Sequence, residues 1–509
     1  MRLGSSRHVV RSLAFAAAAF ATSVAGCSAR RQLPPLPEAI VIVDTNLPVS
    51  LVASRLRIDL YSDNGTWFDS SDVARPTPAD WPASFSVYSD DESRVKPVWI
   101  RLRAYPEGRQ TDYRGERFRD WDAPFADPPG DGSPRLMKAG VDVTPATEPP
   151  PLLTVDRLVL VHLVPEQRGA VRVVLDGACM GTMSRLGPRG LPELGAETCL
   201  DQPKARAAVL RSMLDADASS AAPSAVGTYA ADPCRPGEGN EERICVDGGA
   251  TILGTSGLSD FAPGVPQTIS PSPARFFGVS KFLIDRDEVT VGRYRTAVGF
   301  SWRGPLPANN EGPLIQINKT DPNSGCTWSD LQRDREGYAL NCIDWDAARA
   351  FCVAQGGDLP TELQWEHAAT VAGRRAKVRY PSGDDLPGCD QAIYGREPAV
   401  PAPVNCSAKG VGLPPYAATE ADVSAIGVVG QGGSLTEWVL DDAQPYTSPC
   451  WRDAETMDAR CFTKGATSRV LRGASWASPP ARSTFRLSNG TREAGAAVGF
   501  RCVYPVAPR

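Results

Sequence analysis

The sequence predicts an α+β chain: an all-β, sandwich-like domain over residues 38–200, then a second domain over residues 234–509 that adds helices to strands. Three observations carry this. Apolar and polar residues alternate with a period of two in the first part. Apolar residues at helical spacing, a glycine stop and a capping threonine occur in the second. The cysteines fall largely into close sequential couples, as in chains stapled by short disulfide loops.

At 509 residues the chain is long enough for two or three domains, each with its own core. A formal charge of −5 gives no general attraction to nucleic acid or to anionic lipid.

The N-terminus explains the compartment. Arg2, Arg7 and Arg11 precede an alanine-rich apolar stretch from Leu13 to Phe20, and small residues follow in Val24-Ala25-Gly26-Cys27. This is a secretory signal too short to span a bilayer. It is similar to a bacterial lipoprotein signal over residues 1–26, with Cys27 as the acylated N-terminus; the alternative is an ordinary signal peptide with a chance cysteine. Ser28 resembles the residue found where Gram-negative lipoproteins go on to the outer membrane. The expected location is therefore exported and lipid-anchored, with the membrane as a partner through that lipid. Residues 27–37 form a proline-bearing tether.

From Glu38, Leu56, Ile58 and Leu60 alternate with Arg55, Arg57 and Asp59, and Val98, Ile100 and Leu102 with Trp99, Arg101 and Arg103. Such alternation between turns such as Asp63-Asn64-Gly65 predicts half-buried antiparallel strands. A long irregular loop is expected from about Gly108 to Pro151, and its Arg109, Arg114, Arg117 and Arg119 read as a solvated run. Residues 201–233 combine a candidate helix, Ala205 to Leu214, with an Ala/Ser/Pro stretch, and read as a linker.

Setting Cys27 aside leaves twelve of the 13 cysteines for an oxidising compartment, which favours disulfides over metal ligands. The close couples are Cys179 with Cys199, Cys234 with Cys245, Cys326 with Cys342, Cys389 with Cys406 and Cys450 with Cys461, and Cys352 and Cys502 are left over. Spacing does not prove this connectivity. Each such loop would contribute about 2–4 kcal/mol. In the second domain, Asp346 to Ala354 reads as a helix stopped at Gly356-Gly357, and Pro360-Thr361-Glu362 opens another that Thr361 can cap.

Several segments, in order, resemble the formylglycine-generating enzyme or sulfatase-modifying-factor family. They are Val246 to Gly254, Phe282 to Thr290 with Tyr294, Asn341 to Cys352, Leu359 to Glu366, Thr436-Glu437-Trp438, Arg472 to Ser483 and Gly499-Phe500-Arg501-Cys502. The resemblance covers about Arg243 to Val503, and it implies an irregular α+β fold of the C-type lectin type. It also implies a disulfide from the end of the first of these helices to the last strand, where Cys352 and Cys502 stand.

The departures from the family are as informative. Its copper-binding Cys-x4-Cys pair falls on Ser478 and Ser483, and a hydroxyl is a hard donor where Cu(I) prefers soft thiolate. No catalytic residue and no copper are therefore expected. A second family disulfide would fall at about Ala369 and Ser488. The Gly-Asn that helps bind calcium reads Gly433-Ser434, which leaves at most a weak calcium site near Ser434 and Glu437. A related branch holds non-haem iron with three histidines; this chain has only His8, His162 and His367, in separate segments, and His367 reads as packing. A serine nucleophile would lack a base, and the pairs Asp384-Asp385 and Asp441-Asp442 read as solvated surface.

The expected function is a lipid-anchored envelope protein whose second domain is a non-catalytic module for a peptide or glycan, bound in a groove with Trp476, Arg482 and Arg486. The alternative is an oxidoreductase of the formylglycine-generating type, or another enzyme, using other residues. A third reading makes the sandwich domain a contact for envelope polymer.

Overall fold

The computed structural model describes residues 36–109, 111–112, 135–216, 224–255, 268–300, 302–312, 314, 323–332, 334–415 and 422–506. The signal segment, Cys27, Arg114, Arg117, Arg119 and much of the Ala/Ser/Pro stretch lie outside them. The chain divides into two compact units, Met1–Gly227 and Thr228–Arg509.

In the first unit, β1 (Glu38–Thr45), β2 (Arg55–Tyr61), β3 (Trp67–Ala74), β4 (Ala83–Tyr88) and β5 (Lys96–Tyr105) are followed by short strands β6 (Thr111–Asp112), β7 (Met137–Lys138), β8 (Val141–Asp142) and β9 (Thr147–Glu148). Then come β10 (Val155–Leu163), β11 (Arg168–Leu175), β12 (Glu197–Thr198), β13 (Ala207–Ala208) and β14 (Arg211–Ser212). A three-stranded sheet runs β11-β1-β4 and a five-stranded sheet β14-β10-β5-β2-β3.

Three expectations are corrected here. The strands are not all antiparallel, because β1 pairs parallel with β11 and β10 parallel with β14. Residues 205–214 form no helix: Ala207 and Ala208 pair with Thr198 and Glu197, and Arg211 and Ser212 extend the sheet beside Leu160 and Val161. Pairing to an open edge thus overrides the helical preference of alanine, and this part of the presumed linker belongs to the first unit. Nor is the polar face of the sheet solvated. Arg57, Asp59, Arg101 and Arg103 are all buried, with Leu136 and Glu148 from the intervening segment. They form ion pairs Arg103–Asp59 (2.5 Å), Arg103–Glu148 (2.5 Å) and Arg101–Asp156 (2.6 Å). Burial alone would raise Asp59, but Arg57 and Arg103 outweigh it and hold its pKa at about 2.

The second unit contains β15 (Arg243–Val246), β16 (Gly249–Leu253), β17 (Arg275–Val279), β18 (Phe282–Asp285), α1 (Val291–Phe300), α2 (Trp345–Ala354), α3 (Glu362–Thr370), β19 (Thr436–Asp442), α4 (Pro449–Arg452), β20 (Ser468–Arg472), β21 (Arg486–Gly490), β22 (Val498–Gly499) and β23 (Val503–Pro505). Among the described residues nine short strands accompany four helices, and the sheets are small: β15-β18-β23, β16-β17 and β21-β20-β19-β22.

Asp344 caps α2 by accepting a hydrogen bond from Ala347 N (2.8 Å), and Gly356 follows at φ 84°, a conformation that favours glycine. Thr361 and Gln364 form a reciprocal capping box on α3. In the main core Tyr294 stacks on Phe351 with ring centroids 5.1 Å apart, and Phe500 meets Phe351 edge to face at 5.6 Å. The disulfide Cys352–Cys502 ties the end of α2 to the segment leading into β23.

Candidate functional site

The segment carrying Ser478 and Ser483 leaves the buried strand β20 at Arg472. Gly473 turns it at φ 85°, where an added Cβ would lie 3.2 Å from Gln431 O and 3.3 Å from the Trp365 ring. The chain then runs beside residues 395–396, with Arg396 N donating to Trp476 O (2.7 Å) and Gly395 N donating to Ser478 O (2.8 Å). Ser478 Oγ closes a local turn: it accepts from Ser475 N (3.0 Å) and lies 3.0 Å from Pro479 O. Ser483 is buried; its N–H donates to Arg379 O (2.8 Å) and its carbonyl accepts from Arg472 Nη2 (2.5 Å). Its Oγ has no hydrogen-bond partner among the described residues.

Copper does not fit this donor set. One hydroxyl is committed to its own turn, and neither is a thiolate. Among the described residues no thiol stands ready to replace them, because the six couples Cys179–Cys199, Cys234–Cys245, Cys326–Cys342, Cys352–Cys502, Cys389–Cys406 and Cys450–Cys461 are all closed. At the position of the second family disulfide, Ala369 packs with Trp365, Val439 and Val470.

Calcium does not fit near Ser434 and Glu437 either. Ser434 Oγ donates to Glu288 Oε2 (2.6 Å), while Arg501 Nη2 and Nε donate to Glu437 Oε1 (2.7 Å) and Oε2 (2.8 Å). Trp365 Nε1 also donates to Glu437 Oε2 (2.9 Å). A guanidinium already neutralises the carboxylate a cation would need. Burial and the neighbouring Glu437 charge push Glu288 well above the usual carboxylate range.

The groove is corrected too. Trp476 and Arg486 are 1% and 0% exposed. Trp476 Nε1 donates to Ala496 O (3.0 Å), and Arg486 is locked to Glu362 through Nε (2.5 Å) and Nη2 (2.9 Å). These two side chains are interior framework, and only Arg482 of the three is partly exposed.

That framework was not legible in the motifs. Glu362 and Glu366, one turn apart on α3, reach across to Arg472 of β20, and Glu366 also pairs with Lys377. Tyr446 OH donates to Glu362 Oε1 (3.0 Å). Burial would raise Glu366, but Lys377 and Arg472 hold it below its ordinary value. Asp441 and Asp442 are buried on β19 rather than solvated, whereas Asp384 and Asp385 are exposed. Asp441 accepts from Glu362 N (2.6 Å) and Cys461 N (2.6 Å), and burial pushes its pKa up to about 7. His367 is buried, with Nε2 3.0 Å from Asp247 O, and burial lowers its pKa.

Residues 230–506 match the model of the sulfatase-modifying factor enzyme 1-like domain. A hercynine oxygenase of Mycolicibacterium smegmatis is 28% identical over 50% of this chain and 58% of its own length. The chain thus spans little more than half of that relative. An inactive C-alpha-formylglycine-generating enzyme 2 of Mus musculus is 30% identical over 51% of this chain and 84% of its own. A formylglycine-generating enzyme of Thermomonospora curvata is 29% identical over 33% of this chain and 56% of its own. Among solved structures, PvdO from Pseudomonas aeruginosa aligns with a TM-score of 0.37 and 18% identity, covering 52% of this chain and 94% of that one.

Proposed function

The chain belongs to the sulfatase-modifying factor enzyme 1-like family, and we propose that it is an exported, lipid-anchored member whose C-terminal domain is a non-catalytic binding module. One observation carries this reading: serines stand at 478 and 483, one closing a turn and one buried with a hydroxyl that has no partner among the described residues. The domain's framework is otherwise intact, with α2 and α3 capped, its buried ion pairs closed and its five disulfides formed. A relative named inactive over most of its length supports the same direction. The many disulfides suit an oxidising, exported setting, and no helix among the described residues is long and apolar enough to cross a membrane. Attachment would then fall to a lipid on Cys27. A C-type-lectin-type scaffold, with peptide or glycan as ligand, is the corresponding picture.

The test is direct. The purified chain is incubated with copper, reductant, oxygen and a cysteine-containing sulfatase-type peptide, and the peptide is followed by mass spectrometry. No formylglycine is expected. Its formation, or a stoichiometric redox metal in the purified chain, would favour the oxidoreductase reading instead.

A further inference from the structure

A cleft of about 460 Å³ opens on the second unit, away from the serine segment, between α2 and the turn that precedes β20. Trp345 and Arg349 of α2 face Phe462, Lys464 and Arg469 across it, with Arg492 at the rim. The Trp345 and Phe462 rings lie nearly parallel, 27° apart with centroids at 6.5 Å. Two guanidinium groups share these rings: Arg349 Cζ is 5.4 Å from Trp345 and 4.9 Å from Phe462, and Arg469 Cζ is 4.2 Å and 4.8 Å away.

Like charges held this close need an anion. Arg349 has one in Asp358, bound through both Nε (2.9 Å) and Nη2 (3.0 Å). Arg469 pairs with Asp442 and donates to Leu440 O (3.2 Å) and Thr463 O (3.1 Å). Its side chain is only 2% exposed, and its Nε finds no acceptor among the described residues. Burial, reinforced by Arg349, lowers its pKa. A buried N–H left unpaired is costly, and an acceptor entering from the cleft would offset that cost. The Arg492–Asp346 pair at 3.2 Å is largely exposed and adds little, while Lys464 is exposed and positive at the mouth.

We infer that this cleft binds the acidic residue of a saccharide: a carboxylate or sulfate meets Lys464 and Arg492 at the mouth and reaches toward Arg469, and the sugar's C–H face lies against the partly exposed Phe462 ring, Trp345 beneath it being buried. The volume falls at the small-ligand end of the usual range and suits one or two sugar residues. A peptide adding as a strand is disfavoured, because β20 is already paired on both edges, by β19 and β21. The inference rests on the binding-module reading and gives it a ligand class.

The test titrates the full chain with an oligogalacturonate, a heparin-derived oligosaccharide, a neutral cello-oligosaccharide and tetraglutamate, reading calorimetric heat and tryptophan fluorescence. Saturable binding of at least one acidic oligosaccharide below about 1 mM is expected, weakened by salt, with no binding of the neutral sugar. The preferred probe separates carboxylate from sulfate. Phe462→Ala is expected to weaken binding about tenfold with an unchanged circular dichroism spectrum, and Lys464→Glu several-fold with both the spectrum and the melting profile unchanged. No binding of either acidic oligosaccharide, equal binding of tetraglutamate, or indifference to both substitutions would overturn the inference. Formylglycine formation would sink the binding-module reading separately, since it needs none of these residues.

Discussion

If Ser483 is an idle remnant, deleting its hydroxyl should stabilise the domain. The side chain is 1% exposed and its Oγ has no hydrogen-bond partner among the described residues. An unsatisfied buried hydroxyl costs about 1–3 kcal/mol. Against this, Ser483→Ala gives up the dispersion contacts of one oxygen atom, several at about 0.1–0.2 kcal/mol each. The balance is a gain of about 1 kcal/mol, or roughly 2–4 °C in the transition of a unit this size. Ser478→Ala should shift the other way. Its Oγ accepts from Ser475 N at 3.0 Å, and losing that bond costs about 0.5–1.5 kcal/mol. Differential scanning calorimetry of the purified chain, with the transitions of its two units resolved, measures both variants. A loss of more than about 1 kcal/mol on Ser483→Ala would refute the reasoning, since the hydroxyl would then have to be bonded to a bound water or a ligand.

Three further outcomes are expected. Glu362→Gln leaves the buried Arg486 and Arg472 short of a counter-charge and should destabilise the second unit by about 3–5 kcal/mol in urea titration; a change below about 1 kcal/mol would mean the pairs add nothing. Replacing Cys352 and Cys502 together with alanine opens a 150-residue loop and should cost about 5 kcal/mol on loop-entropy grounds, so a melt unchanged under matched oxidising conditions would contradict it. Asp422 and Asp441 are both pushed up to about 7 by burial, from an ordinary value of 3.8. A folded pKa above the unfolded one gives stability that is fully present below about 4 and is lost as pH rises through about 7. Glu366, held low, acts oppositely and loses its contribution only as pH falls below its ordinary range. The second unit should therefore melt higher at pH 5.5 than at pH 8, and Asp422→Asn should flatten that slope; an unchanged slope would show that Asp422 is ionised throughout.

The structure also shows what a sequence can announce about itself. Local devices were readable because their partners are neighbours in the chain: Thr361 caps with Gln364, and Gly356 ends α2 with a positive φ. α1 went unread because Gly292 and Gly299 interrupt a pattern whose buried face is only Val291, Tyr294 and Ala297. The largest misreading concerned charge. Arg57, Asp59, Arg101 and Arg103 sit at positions that alternation assigns to water, yet a covering segment buries that face and their charges pair with one another and with Glu148 and Asp156. The same holds for Glu362, whose partners Arg472 and Arg486 lie 110 and 124 residues away. A polar residue in a periodic pattern states only that it needs water or a partner, and which one it receives is decided by chain that folds over it from far away. Arg469 sharpens the point: it found Asp442, two carbonyls and two aromatic rings, and still keeps one N–H without an acceptor among the described residues, beside an open cleft. Function in this domain is accordingly to be sought where such an unfinished group lines an open cleft, as Arg469 does, more than at Ser483, whose unpartnered hydroxyl lines none of that cleft.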